Sequence, residues 1–183
     1  MSLIVAAGKE GLITASMKLG SFTIELFIEF LGHKVLPSLQ CNQSQVFIMD
    51  NTKSHHLEIT HDIIGKAGHS ILYLPPYTPW FNITECIFTK FKPVVSHQDL
   101  TDHTMLKHFI YNTLSTLMAE DCQGWIRESK WWILIARHGY VLGEDHNAQD
   151  ALAWHDLLPD ERSMEVFNEL YISTQSSFTE DAV

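Results

Sequence analysis

The sequence predicts a mixed α/β layer fold, with helices packed on a largely buried sheet. Two observations carry this expectation. Strand-type and helix-type stretches alternate in the order β-β-α-β-α-β-α, the pattern of layered α/β architectures. Two apolar runs, QVFIMD (45–50) and SILYL (70–74), are short and nearly continuous, as strands covered on both faces tend to be. With 183 residues, 45% of them hydrophobic, the chain suffices for the core of one ordinary domain.

The elements follow in order. SLIVAA (2–7) and LITASM (12–17) are joined by GKEG, a hairpin signal. Ser21 is placed to cap a helix through SFTIELFIEFLGHKVL, where Phe22, Leu26, Phe27, Phe30 and Leu31 recur at helical spacing and Pro37 stands just past the end. The run 45–50 is a buried strand ending in a carboxylate. Ser54 to about Lys66 reads as an amphipathic helix closed by Gly68, and 70–74 as another buried strand halted by Pro75 and Pro76. A helix from about Ile83 to Phe91 is stopped by Pro93, and two more follow near 100–118 and 120–130. WWILIARHGYVL (131–142) fits a hairpin or a continued helix equally well. Beyond 143 the chain is acidic, with helices expected near 147–157 and 160–171 and a frayed end.

Charge is unevenly spread. Residues 1–92 hold seven Lys/Arg and seven Asp/Glu, so the formal charge of −10 lies entirely in the remainder, with five basic and fifteen acidic residues. Such a tail repels phosphate, which confines any nucleic-acid contact to the first half. The longest apolar runs are too short to span a bilayer, and the N-terminus lacks the features of a secretory signal. Cys41, Cys86 and Cys122 are odd in number and widely spaced, which points to reduced thiols in an intracellular protein.

Chemistry in such sheets collects at the carboxyl ends of parallel strands. Asp50 ends one strand. Glu85 follows the next through LPPYTPWFNITE (74–85), whose three prolines stiffen the return path. Taken singly, each carboxylate has a plainer reading: Asn82 and Glu85 form a capping box, and Asp50 is a strand-end turn residue. Glu58 with His61 or Asp62 shares a helix face but lacks a third zinc ligand. Trp131 and Trp132 read as packing residues.

Taken together the motifs say more. VFIMDN, His55 five residues after Asp50, LPPYTPWFNITE and ECIFTKFK resemble the DDE endonuclease domain of mariner-like transposases over about residues 3–130. The 34 residues between Asp50 and Glu85 match one large branch of that family. The likeness is strong at Asp50, Asn51, His55, Leu74 to Tyr77, Pro79, Asn82, Glu85, Phe88 and Lys92, and departs at Thr78, Trp80, Phe81, Ile83 and Thr84.

The resemblance implies an RNase H-like fold and metal-assisted DNA cleavage and strand transfer, with Asp50 and Glu85 as catalytic residues and ligands of Mg²⁺ or Mn²⁺. Lys53, His55, Lys90 and Lys92 are the candidate nucleic-acid contacts, although a solvated-surface role suits the lysines equally well. The family's first catalytic aspartate lies on a strand preceding the hairpin of residues 2–17, and its DNA-reading helix-turn-helix domains precede that. Neither is found here, and Glu10 in the hairpin turn is expected at the opposite end of the sheet.

The expected organisation is a truncated DDE core at 1–92 with its first strand missing, C-terminal helices of the core at 93–142, and an acidic helical extension at 143–183. The favoured reading is an inactive transposase-derived domain with residual DNA or metal binding. The alternatives are an endonuclease completed by another segment or chain, and a domesticated module binding a protein partner through its acidic segment.

Overall fold

A computed structural model of the chain describes residues 1–39, 43–52, 55–96, 103–137 and 171–176. Five strands form one sheet in the order β2-β1-β5-β3-β4. The first two, β1 (Ser2–Gly8) and β2 (Gly11–Lys18), make the expected antiparallel hairpin. Gly11 closes its turn at φ +110°, a conformation open to glycine and strained for other residues. Next, β3 (Val46–Met49) runs parallel to β4 (Ser70–Tyr73).

The central place belongs to β5 (Tyr171–Ser176), antiparallel to β1 and parallel to β3. This is the slot that the family resemblance gives to a strand before the first hairpin. A polar strand from the far end of the chain fills it, where a frayed end was expected. The inner edges of β1 and β3 thus have a partner, which removes the hazard of open edges in the middle of a sheet. The helices expected near 147–157 and 160–171 lie outside the described residues, except for Tyr171, which is strand.

Local chemistry explains most of the helices. Thr23, rather than Ser21, caps α1 (Ile24–Phe30), its hydroxyl accepting from the Leu26 N–H. The chain continues through a π-helical turn (Leu31–Val35) into α2 (Leu36–Ser38), so Pro37 lies within the helical run and not past it. Near the start of a new turn the missing proline N–H costs little.

A Schellman motif ends α3 (Glu58–Lys66): Gly68 has φ +83° and donates to Gly65 O, while His69 donates to Ile64 O. The chain then enters β4 directly, where the Ser70 N–H reaches Gln45 O and the Gln45 N–H is received by His69 Nδ1. Because β4 is an edge strand, it is not buried as expected, and Leu72 stays half exposed.

Pro93 does not stop α4 (Ile83–Ser96), which runs through it. After α5 (His103–Leu114), α6 (Ala119–Arg137) is continuous, so the WWILIA stretch is helix and not hairpin. Two cores follow from strand alternation. Leu3, Val5, Ala7 and Ile48 pack with Ile83, Ile87, Phe88 and Phe91 of α4, Ile110 and Leu114 of α5, and Ile126 of α6. Ile4, Ala6, Phe47 and Met49 pack on the other face with Phe27, Phe30, Leu31, Val35 and Ile64. Each fully buried side chain of this size contributes roughly 1.5–3 kcal/mol, so α4 is held firmly by four. Trp131 and Trp132 pack edge to face at 4.9 Å, and Trp80 lies 6.2 Å from Trp132, in keeping with a packing role.

Candidate active site at the carboxyl edge of the sheet

Asp50 is the first residue after β3. The Leu74 N–H donates to Met49 O at 2.8 Å, extending the ladder one step past β4. The two parallel strands therefore release their chains at one level, Asp50 from one and Pro75 from the other. The hairpin turn of Lys9 and Glu10 follows Gly8, which pairs with Ile172 at the other end of β5, so Glu10 sits at the opposite edge as expected.

The return loop is built stiffly. Pro75 and Pro76 lead into Tyr77, whose φ of 59° is left-handed and costs about 1–2 kcal/mol in a non-glycine residue. The Thr78 hydroxyl ties back to Pro75 O at 2.6 Å, and Pro79–Phe81 form one 3-10 turn. Phe81 is buried and anchors that turn to the core.

Asn82 then caps α4. Its buried Oδ1 accepts from the Thr84 N–H at 3.1 Å and from the Thr84 hydroxyl at 2.7 Å. The Asn82 N–H donates to Pro79 O at 3.1 Å. Glu85 falls in the first turn of α4, where the positive end of the helix dipole favours a carboxylate. Asp50 and Glu85 line one cleft of about 370 Å³, together with Asn51, Thr52, Leu74 to Pro79 and Asn82.

Asp50 is held from behind. His55 Nδ1 lies 2.7 Å from Asp50 Oδ1 and 3.1 Å from the Asp50 carbonyl oxygen. Both are acceptors, so Nδ1 carries the proton and donates. The Thr52 hydroxyl also donates to Oδ1 at 3.2 Å. His55 is buried, its ring 4.6 Å from that of Phe27. That placement corrects its assignment as a nucleic-acid contact: a ring enclosed by core cannot reach a phosphate, and it orients Asp50 instead.

Around it stands a network that the sequence reading missed. The Tyr73 hydroxyl donates to His55 O at 2.6 Å and receives a hydrogen bond from His61 Nε2 at 2.9 Å. His56 stacks on Tyr73 at 3.9 Å and hydrogen-bonds Asn51. Tyr73 looked like one more residue of a buried strand. Only the parallel pairing of β3 with β4 brings it beside the loop after Asp50.

The lysines divide. Lys90 pairs with Asp121 of α6 at 2.8 Å and lies 5.8 Å from the Trp125 ring centre, so its charge is committed within the fold. The same hydrogen bond, followed by that from the Met118 N–H, holds the Asp121 carboxyl below its ordinary range. Lys92 is exposed on α4, and Lys53 lies outside the described residues. Burial pushes the Cys86 and Cys122 thiols up to about 11, which leaves them unreactive. Cys41 lies outside the described residues.

Among the described residues, no group of three His, Cys, Asp or Glu side chains converges on a metal position. The Asp50–Glu85 donor set still suits a hard divalent cation. Mg²⁺ is commonly bound by one or two carboxylates and keeps several waters, which an open cleft allows. Among the described residues no helix is long and apolar enough to cross a membrane.

Residues 1–107 match the family model described as DDE superfamily endonuclease. No curated protein matches the chain. Among solved structures, the Mos1 transposase catalytic domain with raltegravir and manganese is similar at 16% identity, with 76% of each chain covered and a TM-score of 0.67. The catalytic domain of Mos1 mariner transposase is similar at 15% identity over 76% of this chain and 74% of that one, with a TM-score of 0.63. The Mos1 strand transfer complex gives 16% identity, 73% of this chain against 41% of that one, and a TM-score of 0.62. These likenesses establish the RNase H-like fold; the family match, over more than half the chain and through both carboxylates, establishes descent. The chain belongs to the DDE superfamily of endonucleases.

Proposed function

We propose that the cleft between Asp50 and Glu85 is a divalent-cation site for DNA phosphodiester chemistry, and that it works weakly here. The observation that carries the reading is the convergence of these two carboxylates, from the end of β3 and the first turn of α4, on one cleft. A bound Mg²⁺ or Mn²⁺ would polarise a phosphate oxygen, and a second ion would stabilise the departing oxygen. The chain's own residues supply orientation: His55 and Thr52 aim Asp50, while Asn82 fixes the turn that carries Glu85.

With two carboxylates the site holds one cation loosely and a second hardly at all, so cleavage of DNA by this chain falls below detection. Lys92 and Lys53 are the phosphate contacts we favour, whereas Lys90 is tied to Asp121. The zero net charge of residues 1–92 makes DNA binding weak and steeply salt-dependent. Contact with DNA calls for a nuclear or otherwise intracellular location.

The test is a Mn²⁺ titration followed by electron paramagnetic resonance of the free ion, beside cleavage of end-labelled DNA. The expected result is weak Mn²⁺ binding that disappears in Asp50→Ala and in Glu85→Ala, with no cleavage by the unaltered chain. Binding indifferent to both substitutions overturns the site. Cleavage by the unaltered chain that is lost in Glu85→Ala overturns its weakness.

A further inference from the structure

Tyr77 stands where the fold has no need of a large side chain. It is third in the turn Pro75–Thr78, which the Thr78 hydroxyl closes onto Pro75 O, and Pro76 is second. A positive φ at that place, after a proline, is the type II pattern, which calls for Gly or Asn. Tyr77 instead holds φ 59°, and its side chain, 96% exposed, joins neither core. The strain is not offset by packing, and backbone outliers of this kind collect where ligands bind.

The surroundings of the ring say which ligand. Tyr77 lines the same cleft as Asp50 and Glu85, among the exposed prolines Pro75, Pro76 and Pro79. Among the described residues of that lining none is basic. A phosphate entering here meets two carboxylates and no cation, so charge does not hold DNA at the mouth. The mouth offers an aromatic face and proline rings. Such a surface suits a nucleobase, whose π-face stacks on aromatic side chains whatever the sequence.

We propose that Tyr77 is a stacking platform for an unpaired nucleobase, so that the cleft takes single-stranded or locally melted DNA in preference to duplex. The assignment rests on the DNA-directed function proposed above and names the form of DNA. A base inside a duplex is covered on both faces by its neighbours and must leave the stack before Tyr77 can reach it. A base of a single strand has a face to give. Stacking displaces no counterions, so the contribution of Tyr77 is independent of salt, whereas that of Lys92 declines as salt rises.

The experiment uses the full chain without metal. Fluorescence anisotropy follows its binding to a short fluorescein-labelled oligothymidylate and to the same strand annealed to its complement. The single strand should bind more tightly. Tyr77→Phe and Tyr77→Trp keep an aromatic face and should stay within about threefold of wild type. Tyr77→Leu and Tyr77→Ala should weaken single-strand binding about five- to hundredfold, by the same factor at low and moderate salt, and change duplex binding less than about twofold. Tyr77→Gly should lose the same binding without lowering the urea midpoint, because glycine adopts a positive φ without strain. That variant separates loss of the ring from loss of the fold.

The assignment is wrong if Tyr77→Leu binds like Tyr77→Phe, if Tyr77→Ala binds the single strand as wild type, or if wild type takes duplex at least as tightly. In those outcomes DNA binding that persists, with Mn²⁺ binding that still vanishes in Asp50→Ala, leaves the proposed function standing. No binding of either DNA form by wild type at low salt overturns both.

Discussion

His55 joins two roles in one side chain, packing and the orientation of Asp50, and two substitutions should separate them. In His55→Phe the ring that lies 4.6 Å from Phe27 keeps its place, but the 2.7 Å hydrogen bond to Asp50 is lost. A hydrogen bond to a charged group contributes about 1.5–3 kcal/mol. Asp50 is about a quarter exposed, so water replaces part of the lost donor and the cost to stability should fall near 1.5 kcal/mol. Loss of the partner that orients a ligand typically costs about 10–100-fold in metal affinity.

His55→Asn does the reverse. The amide nitrogen of Asn can occupy the place of Nδ1 and still donate to Asp50, while most of a ring that is 1% exposed is deleted. That variant should lose about 1–3 kcal/mol of stability and keep Mn²⁺ affinity within about threefold of wild type. Urea denaturation reads stability and Mn²⁺ titration reads the site. A phenylalanine variant with full Mn²⁺ affinity beside an asparagine variant that loses it would show that His55 serves packing alone.

Three further outcomes follow from the same structure. Asn82→Ala removes the cap of α4 and should cost about 1 kcal/mol of stability, with a loss of Mn²⁺ affinity through Glu85; an unchanged urea midpoint would show that the Thr84 contacts do not matter. Burial lowers the His69 pKa below its ordinary 6.5, so the folded state resists a proton that the unfolded chain accepts; stability should decline as pH falls below about 6.5, and His69→Asn, which keeps an acceptor for the Gln45 N–H, should flatten that decline in pH-dependent denaturation. Burial likewise lowers Lys130 to about 8, so its cost is absent above the unfolded value of about 10.5, grows as pH falls from there toward 8, and is fully present below 8. Lys130→Met should therefore stabilise the fold more at pH 7 than at pH 9.5, and an equal effect at both would refute a buried, reluctantly charged amine.

Much of this protein is written locally. The apolar run ending at Asp50, the prolines of 75–79 and the amphipathic spacing of α4 each depend on residues a few positions apart, so the chain alone placed both carboxylates on one sheet edge. Where local signals competed with packing, packing won. Pro93 reads as a stop, yet α4 continues because Phe88 and Phe91 before it and Val95 after it lie against the same core. His55 looks like a polar loop residue, yet it is buried because Phe27, far back in α1, supplies the surface it covers.

The central strand is the clearest case. YISTQS carries only two β-branched residues, Ile172 and Thr174, a pattern too short and polar to stand out beside an acidic stretch. It becomes a strand because β1 and β3 leave backbone donors and acceptors facing each other across a gap one strand wide. Backbone groups there must find partners or be left unpaired in the interior. Which segment fills such a gap is a contest among distant parts of the chain, settled by hydrogen bonding and closure, and no window of neighbouring residues records its outcome.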